Sequence, residues 1–139
     1  MRIADCIFCN IVKGEIPSYK LYEDEQTLAI LDINPVNKGH TLVLPKEHFV
    51  NILDVPEPVL IATMRTVKKL AQILSNYAEG ANVHHNANKA AGQVVDHLHF
   101  HVIPRYLEDG LQLWKGRGLY EKDEALQILG TLRNLLKEQ

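Results

Sequence analysis

The stretch Asp96-His97-Leu98-His99-Phe100-His101-Val102-Ile103-Pro104-Arg105 decides how this chain is read. In an extended strand, successive side chains point to opposite faces. His97, His99 and His101 therefore share one face, and Leu98, Phe100 and Val102 share the other. The apolar face belongs on a core. The histidine face must meet something else, because each imidazole carries a donor and an acceptor that need partners. Three readings stand open on spacing alone. The face is solvated and its histidines incidental, or the three rings surround one metal ion, or one imidazole is a nucleophile that the others support.

The segment just upstream bears on the choice. Asn86-Ala87-Asn88-Lys89-Ala90-Ala91-Gly92-Gln93-Val94 is small and polar and runs directly into the histidines. Gly92 permits a ligand to approach the backbone closely, and free N–H groups in such a loop can cradle a phosphate. A phosphate held beside an imidazole face is the layout for phosphoryl or nucleotidyl transfer.

Further out, the pattern predicts the remaining elements. Cys6 to Gly14 reads as a short turn or helix carrying Cys6-Ile7-Phe8-Cys9. Tyr19–Tyr22 and Thr27–Ile33 read as a β-hairpin around Glu23-Asp24-Glu25. Asn34 to Gly39 is a loop, followed by a third strand from His40 to Pro45. Asp54-Val55-Pro56-Glu57 signals a helix start, with Asp54 as cap. Leu60, Ile61, Met64, Val67, Leu70, Ala71 and Leu74 then recur at helical spacing to Tyr77, before Gly80. A fourth strand is expected over Ala81–Asn86 and a fifth over Val94–Ile103, closed by Pro104. A last helix covers about Asp123 to Lys137, with Leu126, Leu129, Leu132 and Leu136 on one side. Strands and helices are segregated, so the fold class is α+β: a mostly antiparallel five-stranded sheet with one long central helix and a C-terminal helix.

Composition excludes several function classes. The 139 residues are one domain's worth, with 46% apolar and 23% charged side chains. Lys and Arg number 15 against 17 Asp and Glu, and the absence of a basic block argues against nucleic acid as a partner. No apolar run reaches the roughly 18 residues of a membrane span, and the first residues do not read as a signal peptide. The expected location is therefore cytoplasmic, with the two cysteines available for thiol or metal chemistry before a disulfide.

With these residues in place, the chain resembles the histidine triad (HIT) superfamily of nucleotide hydrolases and transferases, in its bacterial and archaeal Hint-related branch. The resemblance rests on His97 to Ile103, preceded by Ala91-Gly92-Gln93-Val94 and followed by Pro104-Arg105. It extends through Leu31-Asp32-Ile33-Asn34-Pro35, Gly39-His40-Thr41-Leu42-Val43-Leu44-Pro45-Lys46 and Cys6-Ile7-Phe8-Cys9. It implies a single HIT domain over 1–139, its motif-bearing part spanning about 5–105.

What the resemblance implies is specific. His99 is the nucleophile toward the α-phosphorus of a purine nucleotide and forms a covalent nucleotidyl-imidazole that water then releases. The backbone carbonyl of His97 fixes the tautomer of His99. His101 donates to the phosphate, and His40 is a supporting imidazole. N–H groups around Gly92, Gln93 and Val94 stabilise charge on the phosphate. Asn86 and Gln93 contact the phosphate and leaving group. Asp32 takes the ribose hydroxyls, since a carboxylate can accept two hydrogen bonds at once. Phe8, Ile16, Leu31 and Ile33 are candidates for the slot around the base, with plain core packing as the competing reading of each. The implied activity is hydrolysis of an adenosine phosphoramidate or related adenylate. The alternatives are dinucleoside polyphosphate hydrolysis and nucleotide-dependent regulation with little turnover.

The resemblance also implies a structural zinc on Cys6, Cys9, His48 and His97, a homodimer, and no organic cofactor. Buried small hydrophobes are the competing reading of the two cysteines. The chain departs from the family pattern at Asn88, where Gly is common; Asn tolerates positive φ better than most residues. Val94 replaces a residue that often carries a hydroxyl. His84 and His85 match no family role and are expected to be surface or internally satisfied strand histidines.

Overall fold

The computed structural model describes residues 3–139, and its contacts fall into two compact units, one up to Asp109 and one from Gly110 to Gln139. The first contains a five-stranded sheet in the order β1-β2-β3-β5-β4. Its strands are β1 Lys20–Glu23, β2 Thr27–Leu31, β3 Thr41–Pro45, β4 Gly80–His84 and β5 Phe100–Arg105, all paired antiparallel. Two helices belong to this unit, α1 Ile7–Val12 and α2 Glu57–Tyr77. The architecture is the expected α+β arrangement.

The sheet is covered on both faces, which explains why β2 and β3 are buried almost throughout. Ala29, Val43, Leu98, Phe100 and Val102 pack with Val67, Leu70 and Leu74 of α2. Leu28, Ile30, Leu42 and Leu44, alternating with them, pack with Phe8 of α1. The side-chain period of two thus feeds two cores from the same strands. Thr27 and Thr66 close a polar gap between sheet and helix with a 2.8 Å hydroxyl–hydroxyl bond.

Several boundaries differ from expectation. The fifth strand begins at Phe100, not Val94, because the preceding backbone is drawn elsewhere: Leu98 N–H donates to the Phe49 carbonyl at 2.6 Å. Pro104 lies inside the strand rather than after it, paired with Ala81 of β4. It is tolerated because the pairing with β3 ends at Val102, so the missing N–H falls where no strand needs it. The fourth strand starts at Gly80 and stops at His84. Asp54 does not cap α2, whose N-cap is Pro56 without a side-chain bond. Its carboxylate accepts instead from the Val50 and Asn51 N–H groups at 3.0 and 2.9 Å, tightening the loop before the helix.

The second unit carries α3, Glu124–Lys137, whose N-cap Asp123 sits at φ 62°. Leu126, Leu129, Leu132 and Leu136 are all exposed. Among the described residues no helix is long and apolar enough to cross a membrane.

Candidate active site

Residues 95–97 bend toward β5, and the side chains still alternate: Leu98 is buried in the α2-side core, while His97 and His99 are buried on the other side. A buried imidazole needs two partners, and here the partners decide what each ring can do. His99 Nδ1 lies 2.6 Å from the His97 carbonyl. A carbonyl can only accept, so Nδ1 carries the proton and Nε2 keeps its lone pair. Phe8 packs edge-on against the same ring at 5.1 Å. Burial lowers the His99 pKa, with the His97 carbonyl opposing it, so the ring is neutral at pH 7.

A second chain of bonds fixes His101. The Val36 N–H donates to His40 Nδ1 at 3.0 Å. That nitrogen is therefore unprotonated, and neutral His40 holds its proton on Nε2. Nε2 faces His101 Nδ1 at 2.9 Å and lies 3.6 Å from an Asp32 carboxylate oxygen. His101 Nδ1 accepts, which leaves the His101 proton on Nε2. Burial lowers the pKa of His40. Burial, then the neighbouring His99, His84 and His40, hold His101 at about 3. Both rings are neutral relays rather than fixed cations.

His99 and His101 open onto a cavity of about 390 Å³ that Phe8, Ile16, Leu31, Asp32, Ile33 and Val94 also line. Exposure separates the readings of the apolar candidates. Phe8 is buried and serves both the core and the cavity wall. Ile33 is 85% exposed and Val94 91%, so neither is core. Asn86, Gly92 and Gln93 do not line this cavity. Asn86 donates to the Gly92 carbonyl at 3.5 Å, and Gly92 sits at φ +91°.

Gln93 is 5% exposed and spends its amide inside the loop. Its Oε1 accepts from Asn88 N–H and Asn51 Nδ2, and its Nε2 donates to the Val50 and Val95 carbonyls. The Gln93 N–H donates to the Asn88 carbonyl. Asn88 adopts φ 72°, ψ 163°, a conformation that strains any side chain. Its amide oxygen accepts from Asn51. Asn51 was not singled out from sequence. Its importance depends on two loops, 49–54 and 88–93, meeting in space, and no local pattern encodes that.

On the same face, beside His99, Cys6, Cys9, His48 and His97 converge, their ligand atoms all within 4.8 Å of one another. Cys6 Sγ and Cys9 Sγ lie 3.4 and 3.6 Å from His97 Nδ1, Cys9 Sγ 3.4 Å from His48 Nδ1, and the two Nδ1 atoms 3.2 Å apart. Tetrahedral zinc with ordinary bond lengths requires edges of about 3.3–3.8 Å between such atoms. His97 Nε2 donates to the Pro45 carbonyl at 2.8 Å, so Nδ1 is a lone pair aimed at the two sulfurs, the second-sphere pattern of a metal-binding histidine. Burial, with Cys9 adding to it, raises the Cys6 thiol pKa, which a cation would reverse. The donor set can hold a metal. His97 does not join His99 and His101 on a single ion, since its Nε2 is bonded to the Pro45 carbonyl and its Nδ1 turns to the cysteines.

His84 and His85 are half-buried rather than on the surface. His84 stacks on the His101 ring at 4.6 Å. His85 Nδ1 is 2.9 Å from the His99 carbonyl, and its Nε2 accepts from the Ile52 N–H at 3.2 Å.

The chain is similar in sequence and fold to known proteins. The profile of the HIT domain matches residues 13–108. A HIT-like protein of Methanocaldococcus jannaschii is 50% identical over 106 residues, covering 76% of this chain and 82% of that one. An adenosine 5'-monophosphoramidase of Candida albicans is 41% identical over 144 residues, covering 98% and 91%. The crystal structure of a zinc-bound histidine triad family protein from Mycobacterium smegmatis superposes with a TM-score of 0.75 at 36% identity, covering 97% and 98%. Three alternating histidines, a cavity beside the middle one and a match across most of the chain make this protein a member of the histidine triad family.

Proposed function

We propose that the protein hydrolyses a nucleotide at its α-phosphate, with an adenosine phosphoramidate or related adenylate as substrate. The observation that carries this is the 2.6 Å bond from His99 Nδ1 to the His97 carbonyl, in the wall of the cavity. It leaves the opposite nitrogen unprotonated at neutral pH, the state a nucleophile needs. The name of the Candida albicans relative supports the substrate class.

In the first step the His99 Nε2 lone pair forms a bond to phosphorus. The bond from phosphorus to the leaving nitrogen breaks, and its electron pair departs with the amine. His101 Nε2–H, held by His40, donates a hydrogen bond to a phosphate oxygen, and the leaving group takes its proton from water. A second water then attacks phosphorus, the N–P bond breaks, its electrons return to Nε2, and the proton of that water passes to the hydroxide left by the first step. The net reaction consumes one water and yields the nucleoside monophosphate and the free amine. Asp32 binds the ribose hydroxyls, and Phe8, Ile16, Leu31 and Ile33 surround the base. Of the loop 92–94, Val94 lines the cavity and faces the phosphate, while the Gly92 and Gln93 N–H groups donate to the Lys89 and Asn88 carbonyls. Cys6, Cys9, His48 and His97 would hold a structural zinc, which would tie the N-terminal segment to the peptide whose carbonyl orients His99.

His99→Ala tests the reading. Hydrolysis of an adenosine phosphoramidate falls by at least about a thousandfold while nucleoside monophosphate binding persists, and rapid quenching of the unsubstituted protein in alkaline denaturant traps an adenylyl adduct. Unchanged turnover in the variant removes His99 from the role.

A further inference from the structure

We infer that His85 is a positioning residue for the nucleophile, acting through the peptide carbonyl of His99; this rests on His99 being the nucleophile. His85 bonds to two groups of fixed polarity. The His99 carbonyl, 2.9 Å from Nδ1, can only accept. The Ile52 N–H, 3.2 Å from Nε2, can only donate. A neutral imidazole with its proton on Nδ1 satisfies both, and no other state does. The ring also packs against Phe100 at 5.1 Å, which limits its rotation.

The place of this clamp in the sheet gives it consequence. The pairing of β4 with β5 ends at His84 opposite His101, and His99 lies before the first paired residue of β5. The His85 side chain extends the tie between the two chains just past the end of the ladder. The nucleophile is then flanked by two held carbonyls. The carbonyl of His97 receives the His99 ring, and the carbonyl of His99 receives His85. The first sets the rotation of the imidazole, and the second sets the tilt of the backbone that carries it. In-line attack tolerates little error, and a displacement of about 1 Å costs on the order of a hundredfold.

His85 also reaches the loop that organises the phosphate side. Ile52 follows Asn51, which bonds to Asn88 and Gln93, and Val50, whose carbonyl receives Gln93. One ring thus sets the nucleophile against the loop that faces the phosphate.

Three variants separate the clamp from mere packing. His85→Asn keeps an N–H close to the position of Nδ1 and loses the bond to Ile52. His85→Gln can still accept from Ile52 but has no donor near the His99 carbonyl. His85→Phe keeps the ring volume and loses both bonds. The expected result is a kcat reduced roughly tenfold in His85→Gln and His85→Phe with KM within about twofold. His85→Asn recovers most of the loss. Single-turnover formation of the adenylyl adduct slows in parallel. Thermal midpoints identify any variant that acts through folding. Equal kcat in all three variants overturns the inference, as does a loss that follows thermal stability and not the retained donor. Abolition of turnover by His99→Ala alongside an unaffected His85→Phe would sink the clamp alone; an active His99→Ala would sink the nucleophile reading instead.

Discussion

The Cys6–Cys9–His48–His97 cluster and the His40–His99–His101 cluster draw on alternate positions of one short segment, yet they use imidazole in opposite ways. In the first, the Pro45 carbonyl takes Nε2 of His97 and turns Nδ1 toward two sulfurs. In the second, a carbonyl and a neighbouring ring take Nδ1 of His99 and His101 and leave Nε2 of each free. The difference teaches that a histidine's role follows from which ring nitrogen its surroundings have already claimed. One peptide group joins the two clusters, because the residue whose ring points at the cysteines supplies the carbonyl that orients His99.

The largest effect that could break this comparison comes from the metal side. Cys9→Ser lowers zinc content measured by elemental analysis, weakening affinity at least about tenfold. The thermal midpoint drops by roughly 10 °C, the scale of about 2 kcal/mol in a domain of this size. If hydrolysis at temperatures where the variant stays folded is unchanged, the two clusters are independent and the link through His97 fails.

A smaller effect sharpens the catalytic side. Burial and neighbouring rings hold His101 at about 3, well below the ordinary histidine value of about 6.5. As pH falls through about 6.5, the unfolded chain takes up a proton at this residue and the folded chain does not. The stabilising contribution is therefore complete above about 6.5 and lost progressively toward 3. Thermal midpoints compared at pH 8 and pH 5 fall more for the unsubstituted protein than for His101→Asn. Equal falls would show that the ring is not held neutral.

The smallest effect concerns the cavity mouth on the catalytic side. Ile33 is 85% exposed, so Ile33→Ala changes stability by less than about 0.5 kcal/mol. A base packed on it loses several methyl and methylene contacts, raising KM roughly threefold to tenfold with kcat unchanged. A fall in stability with constant KM would return Ile33 to a purely structural role.

Much of this was legible from local pattern. The alternation at His97–Val102 placed two faces correctly, although the strand itself begins only at Phe100. The helical spacing from Leu60 to Leu74 located α2. The boundaries were less accessible: strand β5 starts late because Leu98 donates to Phe49, 49 residues upstream, and Asp54 serves the loop before it rather than the helix after it. Gln93 was readable as a polar residue before the histidines. Its direction was not, since four partners from three segments decide it. Asn51 and His85 carried no signal at all, because their partners are distant along the chain.

The residue order by itself determined which side chains alternate, which run forms the long helix, and that two cysteines, five supporting polar residues (Asp32, His40, His48, Asn86 and Gln93) and three histidines stand in the pattern of one family. Only the tertiary structure decided which nitrogen of each ring is committed. That depends on carbonyls and N–H groups contributed by Pro45, Val36, Ile52 and His97. Backbone polar groups are the same at every residue, so their placement is invisible until the chain has folded around them.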